Sequence, residues 1–125
     1  MATEFAAVYA ALKPLLTKHA KRFSVKAESA EGINLETRSP SPFPQHKGHP
    51  MFFGGIRVGK GYVSFHLMPV YMCPELNKLI SPELKKRMQG KSCFNFKTVP
   101  EPELLSELKQ LTDASVKNWV ERKWL

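Results

Sequence analysis

MFFGGIRVGKGYVSFHLMPVY, residues 51–71, contains two runs rich in β-branched and aromatic residues, separated by Gly59-Lys60-Gly61. Two such runs joined by a short segment with glycine are typical of a β-hairpin. Pro69 has no backbone N–H to donate, so it ends the second strand. This stretch therefore predicts the central hairpin of an antiparallel sheet.

The second run of this hairpin alternates between apolar and polar side chains. Val63, Phe65 and Leu67 are separated by single residues, so they share one face of a strand, which we expect to pack under helices. The residues expected on the opposite face are Tyr62, Ser64, His66 and Met68. The sequence thus predicts His66 on a polar sheet face and not in the core.

The first run of the hairpin predicts two faces in the same way. The residues expected on the core face are Phe52, Ile56 and Val58. The residues expected on the face of His66 are Met51, Phe53, Gly55 and Arg57. Gly54 and Gly55 are adjacent within a predicted strand, which indicates a bulge or a close approach by another group.

Periodicity and turn residues divide the rest of the chain. Pro14 is expected to kink or break the first helix, and Gly32 is expected to form the turn of the first hairpin. Ser81 is expected to cap a short helix that stops at Gly90. The predicted segments are a helix at 4–23, a hairpin at 24–38, a loop at 39–50, two short helices at 73–90, a strand at 91–99 and a helix at 101–125.

These segments predict a single α+β domain over residues 1–125. The predicted order is α-β-β-β-β-α-α-β-α, and about five antiparallel strands form the sheet. Because the apolar side chains alternate, the helices are expected on one face while the other face stays partly open. A chain of 125 residues is long enough to bury such a core without disulfides.

Positive charge is concentrated in the middle of the chain. The net charge is +8, and residues 37–100 hold ten Lys and Arg side chains but only two acidic ones, Glu75 and Glu83. A positive region attracts anions and repels free cations. The sequence therefore favours a small anionic ligand or an acidic protein as the partner.

The sequence indicates a cytoplasmic protein. No apolar run approaches the roughly 18 residues of a membrane span, and the first residues, which include Glu4, resemble an amphipathic helix more than a signal peptide. Cys73 and Cys93 do not form a CxxC pair, so we expect free thiols. The sequence does not distinguish a monomer from a homodimer.

The predicted polar face supplies candidate ligand-binding residues. If the strand at 91–99 lies beside the hairpin, then Cys93, Asn95 and Lys97 join His66 on that face. The cations expected to meet an anion are Arg57, Lys91 and Lys97. The side chains expected to line the cleft are Met51, Phe53 and Tyr62. An apolar wall with a few fixed polar groups is typical of a ligand site.

Other interpretations of the same face stay open. One is an ordinary solvated sheet surface. Another is a metal site formed by His66, Cys73 and Cys93, because imidazole and thiolate groups bind zinc or copper. The spacing of these three residues matches no zinc-finger pattern.

Catalysis and nucleic-acid binding are less favoured by the sequence. Cys93 with His66 would need a carboxylate to orient the imidazole, and residues 37–74 contain none, so we expect neither a catalytic residue nor a cofactor. Residues 84–100 hold no acid, and Phe94 and Phe96 are interleaved there with basic residues, a combination that suits binding of single strands when the rings are exposed. The basic residues are Lys85, Lys86, Arg87, Lys91 and Lys97. Both rings are expected to be buried, which would leave charge without base stacking.

Two stretches of the chain are similar to a known family. MFFGGIRVGKGYVSFHLMPVY (51–71) and SPELKKRMQGKSCFNFK (81–97) resemble the YdhG-like domains of unknown function, and the similarity is best over residues 50–98. The resemblance implies a small cytosolic α+β domain with a helix-flanked antiparallel sheet. Some relatives are described as frataxin-like intracellular iron chaperones. The motif positions expected to line a site are Tyr62, His66, Tyr71, Lys91, Ser92 and Asn95.

We therefore expect a non-enzymatic binder of a small anionic ligand or an acidic protein on a basic sheet face. The alternative is a frataxin-like iron or metal chaperone, which would need carboxylates gathered on the first helix and first strand. The first helix holds Glu4 alone, and the other early acids are Glu28, Glu31 and Glu36. The complete set of expected ligand-binding residues is Arg57, Tyr62, Ser64, His66, Tyr71, Lys91, Ser92, Asn95 and Lys97.

Overall fold

The two runs of the central hairpin form neighbouring strands of a six-stranded antiparallel sheet. A computed structural model describes residues 2–90 and 92–124. The strands are β1 (Phe23–Ser29), β2 (Gly32–Pro40), β3 (Pro50–Val58), β4 (Val63–Leu67), β5 (Met88–Gln89) and β6 (Cys93–Phe96). Their order across the sheet is β1-β2-β3-β4-β6-β5. The α+β class is confirmed, and the sheet has one strand more than the five we expected.

The helices lie at the two ends of the chain and in the connection between β4 and β5. In the described residues they are α1 (Ala2–Thr17), α2 (Met68–Met72), α3 (Pro82–Lys85) and α4 (Pro102–Glu121). Pro14 lies inside α1 without breaking it. None of these helices is both long enough and apolar enough to cross a membrane.

The core lies between the sheet and the two long helices. Val63, Phe65 and Leu67 of β4 are fully buried, as their alternation predicts. Trp119 of α4 packs edge-on against Phe53 of β3, with 5.3 Å between the ring centroids. The helices therefore cover one face of the sheet, and the opposite face carries the polar residues of each strand.

The pairing of β2 with β3 contains a β-bulge at Phe53. Leu35 pairs with Gly54, but the next residue of β2, Glu36, pairs with Phe52, so Phe53 has no partner in the register. An extra residue in one strand reverses the side-chain alternation on its far side.

The bulge overturns our assignment of faces in the first run. Met51 and Phe53, which we expected to line the polar face, are 4% and 0% exposed and belong to the core. Phe52, which we expected beside Ile56 in the core, is half-buried on the open face, where its ring contacts the imidazole of His66. The physical reason is the unpaired residue, which shifts every preceding side chain to the other face.

Gly55 lies where β2 comes too close to β3 for a side chain. A Cβ atom at Gly55 would lie 2.8 Å from the carbonyl oxygen of Ile33 and would also overlap with the side-chain oxygen of Asn34. The sequence prediction of a bulge or a close approach is thus confirmed in both forms.

Gly32 does not form the turn that we predicted. The turn between β1 and β2 lies at residues 30–31, and Gly32 begins β2. A Cβ atom at Gly32 would lie 2.7 Å from the carbonyl oxygen of Ile56. The absence of a side chain at Gly32 therefore allows β2 and β3 to approach each other closely at this point. Tyr9 of α1 holds the turn, because its hydroxyl lies 2.9 Å from the carbonyl oxygen of Ser29 and 2.8 Å from that of Gly32.

The segment predicted as two short helices contains more elements than expected. α2 begins at Met68, and a 3-10 turn over Pro74–Leu79 replaces the first predicted helix. Ser81 caps α3 as predicted, since its hydroxyl accepts a hydrogen bond from the backbone N–H of Leu84 at 3.1 Å. The helix then ends early, and Gly90, with a φ of 80°, lets β5 turn back onto β6.

The proline-rich segment is shorter than the predicted loop over residues 39–50. β2 extends to Pro40, which pairs with Pro50 at the start of β3. The backbone N–H of Ser41 donates to the carbonyl oxygen of His49 at 3.0 Å. The loop therefore spans residues 41–49, and it closes against the end of the sheet.

We predict that Gly55→Ala lowers the free energy of unfolding by about 1–3 kcal/mol, because the new methyl group must displace the backbone of Ile33. Gly61→Ala in the same hairpin is the control, since a Cβ atom there meets no atom within 4 Å. We expect that variant to be unchanged or stabilised by up to about 1 kcal/mol. Urea unfolding of both variants measures the difference, and equal stabilities would contradict the close approach.

Candidate functional site

A row of paired residues crosses the open face of the sheet from one edge to the other. Each member is the register partner of the next, and the row consists of Lys26, Asn34, Gly55, His66, Cys93 and Gln89. A second row runs beside it and consists of Gly32, Arg57, Ser64 and Asn95. The expected placement of His66 opposite the helical layer is confirmed.

Asn95 is the centre of a hydrogen-bond network on this face. Its amide nitrogen donates to the side-chain oxygen of Gln89 at 2.6 Å. Its amide oxygen accepts from the hydroxyl of Ser64 at 2.9 Å and from the thiol of Cys93 at 3.4 Å. These contacts fix the orientation of the Asn95 and Gln89 amides at the boundary between β6 and β5.

His66 and Cys93 face each other across β4 and β6, but neither is activated for nucleophilic chemistry. Burial lowers the pKa of the half-buried His66 imidazole from its ordinary value of 6.5. Burial also raises the pKa of the Cys93 thiol, against a smaller opposing effect from the Ser64 hydroxyl. At neutral pH the pair is therefore a neutral imidazole and a neutral thiol, whereas a nucleophilic cysteine needs its thiolate.

An open groove lies at the β5–β6 end of the sheet. Its volume is about 640 Å³, and its lining residues are Tyr62, Lys86, Arg87, Met88, Gln89, Asn95 and Lys97. The backbone N–H of Asn95 donates to the carbonyl oxygen of Arg87 at 2.8 Å, which joins the two sides of the groove. Three positive side chains, an aromatic ring and two oriented amides thus border one depression.

Most of the positive charge at this groove has no carboxylate partner. Lys86 lies 3.3 Å from Glu83, but both side chains are more than two-thirds exposed, so the pair is weak. Within residues 2–90 and 92–124, Arg57, Arg87 and Lys97 form no ion pair with a carboxylate. The guanidinium of Arg87 instead lies over the ring of a core phenylalanine, 5.9 Å from its centroid.

Arg57 belongs to the same region through the register of the sheet. It pairs with Ser64, which pairs with Asn95, and neighbouring strands lie about 4.8 Å apart, so Arg57 is roughly 10 Å along the row from Asn95. Its side chain is exposed. An arginine side chain at this position can reach an anion held at the edge of the groove.

The structure groups only some of the residues that we predicted to line a site. Tyr62, Asn95 and Lys97 line the groove, and the residues beside it on the open face are Arg57, Ser64 and His66. Ser92 precedes β6, where its carbonyl oxygen accepts from the backbone N–H of Leu67 at 2.9 Å. Lys91 lies outside the described residues. Tyr71 is on α2, away from the groove, and lines a separate cleft.

The three residues of the suggested metal site do not come together. Cys73 is fully buried, and its thiol donates to the side-chain oxygen of Asn118 of α4 at 3.1 Å, on the helical side. His66 and Cys93 lie on the open face. In the part of the chain that the structure describes, His, Cys, Asp and Glu side chains form no group of three or more that could hold a metal ion. Both thiols are free, as predicted.

The sequence interpretation missed Lys86, Arg87 and Gln89 as lining residues. The segment was predicted to be helical up to Gly90, whereas Met88–Gln89 form β5, which pairs with β6 and brings these residues to the edge of the sheet. Residues 84–100 contain five Lys and Arg residues and no acid, and this concentration of positive charge is the sequence signal that could have identified the groove. Phe94 and Phe96 are 0% and 1% exposed, so the predicted burial of both rings is confirmed.

Comparison of the chain with protein-family models, with curated proteins and with solved structures returns no match. The similarity to YdhG-like domains therefore stays a prediction.

We predict that His66 titrates below 6.5, which ¹H NMR of its imidazole measures directly. In the window between the lowered folded pKa and 6.5, the unfolded chain binds a proton at His66 that the folded protein does not bind. Stability must therefore fall as the pH drops through that window. The variant His66→Gln should lose stability less steeply on acidification, and a titration midpoint at or above 6.5 would contradict the burial of the imidazole.

Proposed function

We propose that this protein binds a small anionic ligand in the groove lined by Tyr62, Arg87, Gln89, Asn95 and Lys97, without catalysing a reaction. The observation that carries the proposal is the set of uncompensated cations at one depression: Arg87 and Lys97 line it and Arg57 lies beside it. Unpaired positive charge attracts an anion, and a concave wall strengthens that attraction.

The neutral groups of the groove favour a compact ligand with hydrogen-bonding atoms. The Asn95 and Gln89 amides are held by the network around Asn95, so their order is established before a ligand arrives. The Tyr62 ring is 37% exposed and offers an apolar surface with a polar hydroxyl. Phosphate and carboxylate groups accept charge-assisted hydrogen bonds from arginine and lysine, and they match this lining best.

The other candidate functions have less support. An acidic protein partner would use the same cations, but nothing beyond charge favours it over a small ligand. A frataxin-like iron chaperone would need carboxylates, because hard cations prefer oxygen ligands. The groove instead presents positive charge, which disfavours a free metal cation. Membership of the YdhG-like family, on the residues 50–98, is compatible with a binding role and is part of this proposal.

We predict that inorganic pyrophosphate, titrated into ¹⁵N-labelled protein at low salt, shifts the backbone amide signals of Gln89, Asn95 and Lys97. Arg87→Gln and Lys97→Gln should each weaken binding roughly fivefold, because each removes one cation from the groove. Added salt should weaken binding in the wild-type protein through screening.

Lys109→Gln is the matched control for this titration. Lys109 is exposed on α4, on the helical side of the sheet, and its loss changes the net charge by the same amount. The control should bind pyrophosphate like the wild-type protein. If it weakens binding as much as Lys97→Gln, the effect is one of net charge and the groove is not a site. If only poly-glutamate shifts these amides, an acidic protein replaces the small ligand as the partner.

A further inference from the structure

A second cleft lies at the other end of β3 and β4, and its described lining residues are all different from those of the groove. Its volume is about 590 Å³, and its lining residues are Phe43, Gln45, His49, Pro50, Met51, Phe52, Met68, Tyr71 and Met72. Volumes of this size are typical of sites for small organic molecules. The loop at 41–49 forms one wall, α2 forms the opposite wall, and β3 forms the floor.

The floor and one wall of this cleft are held in place by contacts from behind. Met51 is 4% exposed, and its backbone N–H donates to the buried hydroxyl of Thr37 at 2.9 Å. The ring of Phe52 is backed by the imidazole of His66, with 6.1 Å between centroids. Phe43 packs edge-on against Trp124 at 5.2 Å. The lining is therefore largely preformed, which reduces the entropy lost when a ligand binds.

The chemistry of the lining selects the class of ligand. Among the residues that the structure describes, no Lys, Arg, Asp or Glu side chain lines the cleft, so a charged ligand would lose hydration without gaining an opposite charge. Three aromatic rings and three methionine thioethers line it instead. Rings pair with rings edge-on or offset, and thioethers make favourable contacts with ring edges. Gln45 and His49 provide polar groups at the exposed rim.

We propose that this cleft binds an uncharged, planar aromatic small molecule, at a site separate from the anion groove. The flat rings of the lining match a flat ligand, and the methionines adapt to its outline. A single polar atom on the ligand is expected to meet the rim at Gln45 or His49. The two sites meet the same open sheet face at different ends, and they differ in the charge of the ligand they accept.

N-phenyl-1-naphthylamine tests this site, because it is uncharged, aromatic and fluorescent in apolar surroundings. We expect saturable binding of one molecule per chain, with shifts of the backbone amides of His49, Phe52 and Met72. Tyr71→Ala should weaken binding about fivefold or more, since it removes an aromatic ring from the wall. Tyr71 is 58% exposed, so this variant is expected to fold, and circular dichroism verifies it.

Tyr62→Ala is the matched control, because it makes the same change in the anion groove and should leave the affinity for N-phenyl-1-naphthylamine unchanged. The sulfonated probe 8-anilino-1-naphthalenesulfonate should bind the cleft with at least tenfold lower affinity, measured from the shifts of the same backbone amides. Saturating pyrophosphate should not displace the uncharged probe. The proposal would be overturned by any one of three results: equal effects of the two tyrosine variants, tighter binding of the sulfonated probe at the cleft, or no saturable binding of the uncharged probe.

Discussion

The close contact between Gly55 and strand β2 is the constraint on which the open face depends. A side chain at Gly55 would overlap with the neighbouring strand, and the bulge at Phe53 lies two residues before it. Together they decide that Phe53 enters the core beneath Trp119 while Phe52 emerges beside His66. The same two residues would exchange faces in a regular strand. The position of the Phe52 ring on the floor of the cleft and its contact with the His66 imidazole both follow from this local irregularity.

The open face combines two chemically different regions on one sheet. At the β5–β6 end, cations surround two fixed amides, while beside Phe52 the surroundings are apolar and uncharged. The paired rows of residues carry the polar network from Ser64 to Gln89, and His66 lies between the two regions. Because burial keeps the imidazole neutral at pH 7, it adds no charge to either region.

Much of the fold was predictable because it follows from local patterns. The alternation of Val63, Phe65 and Leu67 identifies β4 and places His66 correctly, and Ser81 followed by proline identifies the start of α3. The position of the bulge at Phe53 was not predictable. Gly54 and Gly55 indicate a bulge, but they do not identify the residue that is left without a register partner. β5 was not predictable either, since its two residues become a strand only by pairing with β6.

The candidate site was predictable only in part for the same reason. Asn95 and Lys97 follow from the alternation of β6, whereas Arg87 and Gln89 depend on the tertiary return of the chain after α3. Tyr71 was expected to line the same site, but α2 carries it to the other cleft, because the chain turns into a helix directly after β4. Sequence periodicity identifies which face a side chain occupies, and long-range pairing identifies its neighbours.

One side of the groove is formed by β5, the shortest strand of the described sheet. β5 has two residues and lies at an edge, so few backbone hydrogen bonds oppose its fraying, and short edge elements have low local unfolding free energies. Detachment of β5 would break the hydrogen bond between Asn95 and Gln89 and would remove one side of the groove. Affinity is reduced by the fraction of molecules in the incompetent state. A ligand that contacts both β5 and β6 would stabilise the pairing of the two strands, because it binds fully only when they are paired.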